Sequence, residues 1–595
     1  MKKYILLALV PVVLIGWGFF GATQLTTSSF TAFVNYETPY ALKSAPGNTG
    51  EALTAHLVII VMDGLRLDAS RQMKNANALR ALGADRVMRV GQPSLSLPGW
   101  TVIGTGAWQE QHGQTTNFGS CHDVQNAKPV TIVCASKFDS IFLAARRKGL
   151  STALSGTASW DAIYRGQLDT IVVEPEPSDP HRDIDGVRKT DDALEADALK
   201  ILKEKNPNLQ LIYFTQPDNV SHGYGAVSPQ TQQTVAELDA RLGRIMQAID
   251  LSQTTVFLTA DHGHVDQGGH GGPEQVVMEI EFVAAGKGIK QGNYPLALQA
   301  DIAPTAAVLL GTSFPADSQG DVMFDMLDVT APAKANRAVA WADEIAARYD
   351  NIARVINGGA VAHPQLESAK AALAANNFQA AIDGAQADVK TTRDAIATAR
   401  SQRLRDEMFA RTPLAALYLL PMALYLWLMR KMKWEFKRPL IGALAYFVVY
   451  YALFILHGGA FSLTVFNEDT NLAPWFAART IDAIIALLVV SGLIGILARR
   501  ESKYTTALIT INAAFFAASV LWLQVIGFFW FYGFAWSWFI PDLVLGFKYY
   551  LDVLQTGAFM VKSPPLPTIV LMPLIAIGVK WIAEKIASFK LQSAK

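Results

Sequence analysis

Cysteine and net charge are what this 595-residue chain has least of. Its only two cysteines, Cys121 and Cys134, rule out a disulfide-dense scaffold. Both lie in one short segment, where an oxidising compartment would join them as a local disulfide. Lysine plus arginine and aspartate plus glutamate each number 51, so the formal net charge is zero. That balance excludes a basic face built for a nucleic-acid polymer. Charged residues are only 17% of the chain against 51% apolar. The apolar excess is concentrated at the extreme N-terminus and beyond about residue 412, the pattern of a soluble domain joined to membrane segments.

The basic residues that exist report topology. Met1-Lys2-Lys3 precedes an apolar run from Tyr4 to Phe20, a transmembrane anchor or signal over residues 1–24. Five further apolar stretches follow, near 413–429, 439–457, 481–498, 505–531 and 567–583. Arg430, Lys431, Lys433, Lys437 and Arg438 join the first two, Arg499, Arg500 and Lys503 the third and fourth, and Lys580, Lys585, Lys590 and Lys595 mark the tail. The positive-inside rule makes these connections and the C-terminus cytoplasmic. Residues 25–410 are then expected on the opposite, extracytoplasmic side: periplasm, cell exterior or organelle lumen.

Between the membrane segments, 25–55 reads as a linker, 56–333 as an α/β domain, 334–412 as an alanine-rich helical stalk and 413–595 as a membrane bundle. Apolar runs at Leu57–Met62, Leu211–Thr215, Thr255–Ala260 and Ile280–Ala285 suit strands buried on both faces, as in a mostly parallel sheet flanked by helices. Ser136–Lys148 and Thr190–Lys203 carry helical patterns.

Three of these runs end in chemistry. One stops at Asp63-Gly64, one at Pro217-Asp218 with His222 beyond, and one at Asp261-His262-Gly263-His264 followed by Gly268-Gly269-His270-Gly271-Gly272. Ligands bind at the carboxyl ends of parallel strands, so Asp63, Asp218 and Asp261 are expected to converge and bring His222, His262 and His270 with them. Six such groups at one edge need cations between them. Imidazole nitrogen with carboxylate oxygen suits zinc, with manganese as the alternative, and six donors suit two adjacent divalent ions that clamp a phosphoryl displacement. A nucleophile is expected in Ser94-Leu95-Ser96-Leu97-Pro98-Gly99-Trp100-Thr101, where Ser96 precedes a Pro-Gly turn and Ser94 and Thr101 compete.

In order and spacing, Met-Asp-Gly, Ser-Leu-Pro-Gly, Pro-Asp…Ser-His, Ala-Asp-His-Gly and Asp301-Ile302-Ala303-Pro304-Thr305 resemble the alkaline phosphatase superfamily, in its type I phosphodiesterase/nucleotide pyrophosphatase branch. The resemblance covers roughly 55–330. It implies an alkaline-phosphatase-like fold, one metal on Asp218, His222 and His270, and another on Asp63, Asp261, His262 and the nucleophile Ser96. The resemblance assigns no role to His264 or Asp266; His264 and Gly99 are expected beside the ligands in a supporting position. Many phosphodiesterases of this branch use Thr as nucleophile and carry Asn in place of Gly99, with an amide on the phosphoryl oxygens. The Pro-Gly loop and membrane helices are similar instead to ethanolamine-phosphate transferases that decorate glycolipid anchors. The implied activity is cleavage or transfer at a phosphodiester, lipid-linked in the transferase alternative, through a covalent phosphoserine. A sulfatase is disfavoured because neither cysteine sits in the nucleophile loop. The non-enzyme alternative is a membrane scaffold or sensor that inherited the fold.

Overall fold

The structure is a computed structural model. It describes residues 2–40, 49–117, 138–457, 462, 464, 469–541 and 565–593. Cys121 and Cys134, and with them the expected disulfide, lie outside the described residues. The chain divides into two compact units, 33–403 with 537–540, and 1–32 with 404–536 and 541–595.

The first unit is built on one sheet. Its main strands are β1 (His56–Met62), β2 (Ala84–Arg89), β3 (Thr152–Gly156), β4 (Thr170–Val173), β5 (Leu209–Phe214), β6 (Thr254–Thr259) and β7 (Glu279–Gly286). Their order across the sheet is β4-β3-β5-β1-β6-β7-β2, with short strands Gly292–Asn293 and Ala297–Leu298 beside β2. β1 is central because Leu-Val-Ile-Ile-Val-Met has no polar face to offer water. Ile59 pairs with Leu211 on one side and Phe257 on the other, both parallel, and all three are fully buried.

β7 runs antiparallel to both β6 and β2. Its Ile280–Ala285 run is apolar but for the buried Glu281, whose carboxylate meets Arg80 and Ser70, and burial on both faces does not encode the strand's direction. The helices flanking the sheet include Ile184–Glu204, capped by Asp183 onto the Gly186 amide at 2.9 Å, and Pro229–Gln247, capped by Ser228 onto the Thr231 amide at 3.2 Å.

Residues 334–403, most of the expected helical stalk, fall in the same compact unit as the sheet. Helix Ala331–Val355 is part of this unit. It buries Arg348, which donates to the carbonyl of Ala316 at 2.6 Å and to that of Ser318, while Arg337 donates to the Thr312 carbonyl at 3.0 Å. The Arg348 hydrogen bonds go to backbone carbonyls, and Glu344 stands 4.0 Å from its guanidinium.

In the second unit, helix Lys2–Val34 continues through ten residues of the expected 25–55 linker. Among the described residues, four helices are long and apolar enough to cross a membrane: Phe378–Lys431, Lys437–Leu456, Ala477–Leu497 and Lys503–Tyr532. The fifth apolar stretch lies in helix Pro565–Ser593. Asp482, which its position in the sequence suggests is a boundary residue, is buried and pairs with Arg479 at 3.0 Å and His457 at 3.1 Å. Such pairing is what makes a charge tolerable among apolar helices.

Candidate active site

Three adjacent parallel strands deliver the acids. β1 ends into Asp63, β6 into Asp261, and β5 into helix Gln216–Tyr224, which carries Asp218 and His222 one turn apart on the same face. Gly64 has φ +65°, and a Cβ there would stand 2.6 Å from the His264 ring and 2.9 Å from the Asp218 backbone. Only glycine lets the β1 end pass this close to the other two. Gly263 acts likewise, since a Cβ would meet the Val276 carbonyl at 2.1 Å.

The imidazoles are turned inward by their other nitrogen. His270 Nδ1 donates to the Ser94 carbonyl at 2.9 Å, His264 Nδ1 to the Gly268 carbonyl, and His262 Nδ1 faces the Gly263 carbonyl at 3.3 Å. With Nδ1 protonated, each Nε2 carries a lone pair. Those lone pairs converge on acceptors. His270 Nε2 is 3.0 Å from His222 Nε2 and 3.6 Å from Asp218 Oδ1, and His222 Nε2 is 3.4 Å from the same oxygen. His262 Nε2 lies 3.5 Å from Asp63 Oδ1 and 3.4 Å from Asp261 Oδ2. Asp63 Oδ1 is buried with no hydrogen-bond donor. Acceptors facing acceptors in a dry site call for cations, and the donor set fits them. Among the described residues, three groups have donor atoms close enough to hold a metal ion: Asp63–Asp261–His262, Asp218–His262–His270 and Asp218–His222–His264. His264, at 2.8 Å from Asp218 Oδ1, therefore stands among the possible ligands rather than behind them.

The electrostatics agree. Burial, then Asp261 and Asp218, push the Asp63 carboxyl well above the ordinary range. Burial also works against the charge on Asp218, but His222 and His264 overcome it and hold that carboxyl well below. Burial lowers His264 to about 4 and, with help from His262, drives His270 down as well. Both imidazoles are thus neutral lone-pair donors near pH 7. Burial raises the Tyr213 phenol, which stays protonated and donates to Asp63 Oδ2.

Ser96 is the first residue of helix Ser96–Thr105, not part of a turn. Pro98 sits in the first helical turn, where no intrahelical donor is needed, so Pro-Gly opens the helix instead of bending the chain. Ser96 Oγ lies 3.2 Å from His262 Nε2. Its competitors are committed elsewhere: Ser94 Oγ donates to the Gly272 carbonyl at 2.9 Å and Thr101 Oγ to the Leu97 carbonyl at 2.8 Å. Gly99 packs close to Asp261, where a Cβ would come within 3.3 Å of its backbone and Cβ.

Several neighbours carry no signal in the sequence. Asn117 accepts the Leu97 amide on its Oδ1 at 3.1 Å, which leaves its NH2 group at the helix start beside Ser96. Trp100 donates its indole N–H to Asp261 at 2.8 Å and stacks on Trp160, so these two tryptophans are core rather than pocket lining. His181 stacks on His222 with centroids 4.6 Å apart. Asp266 is exposed and pairs with Arg66 at 2.6 Å, away from the cluster.

Residues 57–285 match the Type I phosphodiesterase / nucleotide pyrophosphatase family, the branch read from the motifs. The chain is 24% identical over 383 residues to GPI ethanolamine phosphate transferase 1 of Emericella nidulans, covering 52% of this chain and 38% of that protein. It is 23% identical over 220 residues to ectonucleotide pyrophosphatase/phosphodiesterase family member 7 of Rattus norvegicus, covering 35% of this chain and 49% of that protein. A solved structure, murine ectonucleotide pyrophosphatase / phosphodiesterase 5, aligns at TM-score 0.35 and 13% identity over 44% of this chain and 96% of that one. The chain spans less than half the length of these curated relatives.

Proposed function

We propose that this chain is a membrane-bound two-metal hydrolase or transferase acting on a phosphodiester through a covalent phosphoserine at Ser96. The reading rests on one observation above all. The Ser96 hydroxyl, at a helix N-terminus, is hydrogen-bonded to His262 Nε2 at 3.2 Å, in a site where three carboxylates from adjacent strand ends converge.

Asp218, His222 and His270 would hold one ion and Asp63, Asp261, His262 and Ser96 the other, with His264 supporting or replacing a ligand on Asp218. Two divalent ions, zinc or manganese, when bound, would favour the ionised serine and offset charge on the phosphoryl oxygens. Ser96 Oγ, its proton lost to solvent, attacks phosphorus as the bond to the leaving alcohol breaks. Water or an acceptor hydroxyl then attacks the same phosphorus and releases Ser96. The Ser96–Thr105 helix N-terminus points partial positive charge at the developing negative charge, and the Asn117 NH2 donates to it. Removing that donor by Asn117→Ala is expected to lower kcat about a hundredfold with little change in KM, measured by 4-nitrophenolate release.

The relatives named as ethanolamine phosphate transferases, together with the four membrane-length helices, favour a lipid or lipid-linked glycan headgroup over a nucleotide. The basic connections support an extracytoplasmic catalytic unit. Two measurements on the full-length protein in detergent test the reading. Metal analysis should return about two divalent ions per chain. Mass spectrometry after a phosphodiester substrate and acid quench should find a phosphoryl adduct on Ser96. A metal-free protein active on no phosphodiester is the result that favours the scaffold.

A further inference from the structure

A substrate with a cationic headgroup brings its ammonium to a site whose own metals would repel it. Such a headgroup needs a carboxylate outside the metal-binding groups but beside them. The loop between β4 and helix Ile184–Glu204 supplies one.

Glu176 stands in Glu174-Pro175-Glu176-Pro177. Proline on each side fixes backbone torsions and holds Glu176 itself extended. The loop is pinned at three further points. The Glu174 amide donates to the Gly156 carbonyl at 3.0 Å, Thr190 Oγ donates to the Pro175 carbonyl at 2.7 Å, and Pro177 packs beside Gly186. The Glu176 carboxylate accepts from Asn219 Nδ2 at 3.1 Å. Asn219 is buried and follows Asp218 on the helix that carries His222. His181, further along the loop, stacks on His222, so the loop borders that helix at two places.

Glu176 is exposed and belongs to none of the three possible metal groups. Burial first, then its charged neighbour Asp218, raise the Glu176 carboxyl, while the Asn219 hydrogen bond works against them. A pre-positioned carboxylate whose charged neighbour is a second carboxylate is a site for a cation.

We propose that Glu176 is a specificity-determining residue that receives the ammonium of an aminoethyl phosphodiester. The inference rests on the phosphodiester reading above and names the headgroup it selects. In that arrangement the phosphoryl group faces Ser96 while the amine, two carbons away, reaches the rim.

The test uses the full-length protein in detergent, its metals retained, and two esters that differ by one ammonium: 4-nitrophenyl phosphoethanolamine and ethyl 4-nitrophenyl phosphate. Release of 4-nitrophenolate reports the first half-reaction whichever acceptor completes the second. The native protein should prefer the amine ester. Glu176→Gln keeps the oxygen that Asn219 binds and removes the charge. It should lower the amine-to-ethyl ratio of kcat/KM by about tenfold or more, mainly through KM. An unchanged ratio overturns the inference. So does an equal fall for both esters, which would make Glu176 a structural partner of Asn219. If the native protein cleaves neither ester nor any other phosphodiester, the phosphodiester reading itself fails and takes this one with it.

Discussion

Ser96→Ala is expected to lower turnover about ten-thousandfold or more while leaving the fold unchanged and the metal still held by Asp63, Asp261 and His262. The size of the effect follows from the nucleophile's role, because no neighbouring hydroxyl can replace it. Ser94 and Thr101 are its nearest rivals in sequence, yet each already donates to a backbone carbonyl. Ser94→Ala and Thr101→Ala are therefore expected to stay within about tenfold of the native rate, the range of a packing change near a site. Ser96 itself makes no capping bond, since the helix is entered from Leu95 without one. Alanine is a good residue in a first turn, so the unfolding midpoint should move little. Rate, metal content and midpoint measured on the same preparation separate a lost nucleophile from a lost fold. Turnover surviving in Ser96→Ala would falsify the assignment and return the question to Thr101 or to direct attack by water.

The acidic half of the site is legible in the sequence because strand and chemistry coincide there. β1 and β6 are unbroken apolar runs that stop at a carboxylate, and the parallel neighbourhood of β5, β1 and β6 brings those stops together. The glycines around His262 and His270 mark close backbone approach for the same reason. Direction is not legible: Ile280–Ala285 is buried on both faces like β1 but pairs antiparallel, since burial is all that such a run encodes. Pro98-Gly99 resembles a turn because the chemistry that suits proline to a turn also suits it to a first helical turn. Asn117, Tyr213 and Glu176 are invisible because their roles come from chain returning through space. The burial of Arg348 in the alanine-rich stretch after residue 334 leaves no trace in composition, because its hydrogen bonds go to backbone carbonyls brought in by the fold, with Glu344 4.0 Å away.

The second large effect pits stability against activity at Asp63. With the metals stripped by a chelator, this carboxylate is buried beside Asp261 and Asp218, and its Oδ1 has no donor. That oxygen lies 3.5 Å from His262 Nε2, whose lone pair faces it. Asp63→Asn changes both facts. The amide oxygen still accepts from Tyr213, and the NH2 group can donate toward His262, so two facing acceptors become a donor and an acceptor. One of three crowded charges disappears as well. The metal-free variant should therefore be more stable than the metal-free native protein by about 1–2 kcal/mol, a rise of a few degrees in the unfolding midpoint. Divalent metal should reverse the order, because ion binding stabilises only the chain that retains its ligands, while the variant loses about a thousandfold in activity. Thermal unfolding of both proteins, with and without zinc, reads the crossing directly. A variant less stable than the native protein in both states would mean that Asp63 supports the fold and does not hold a cation.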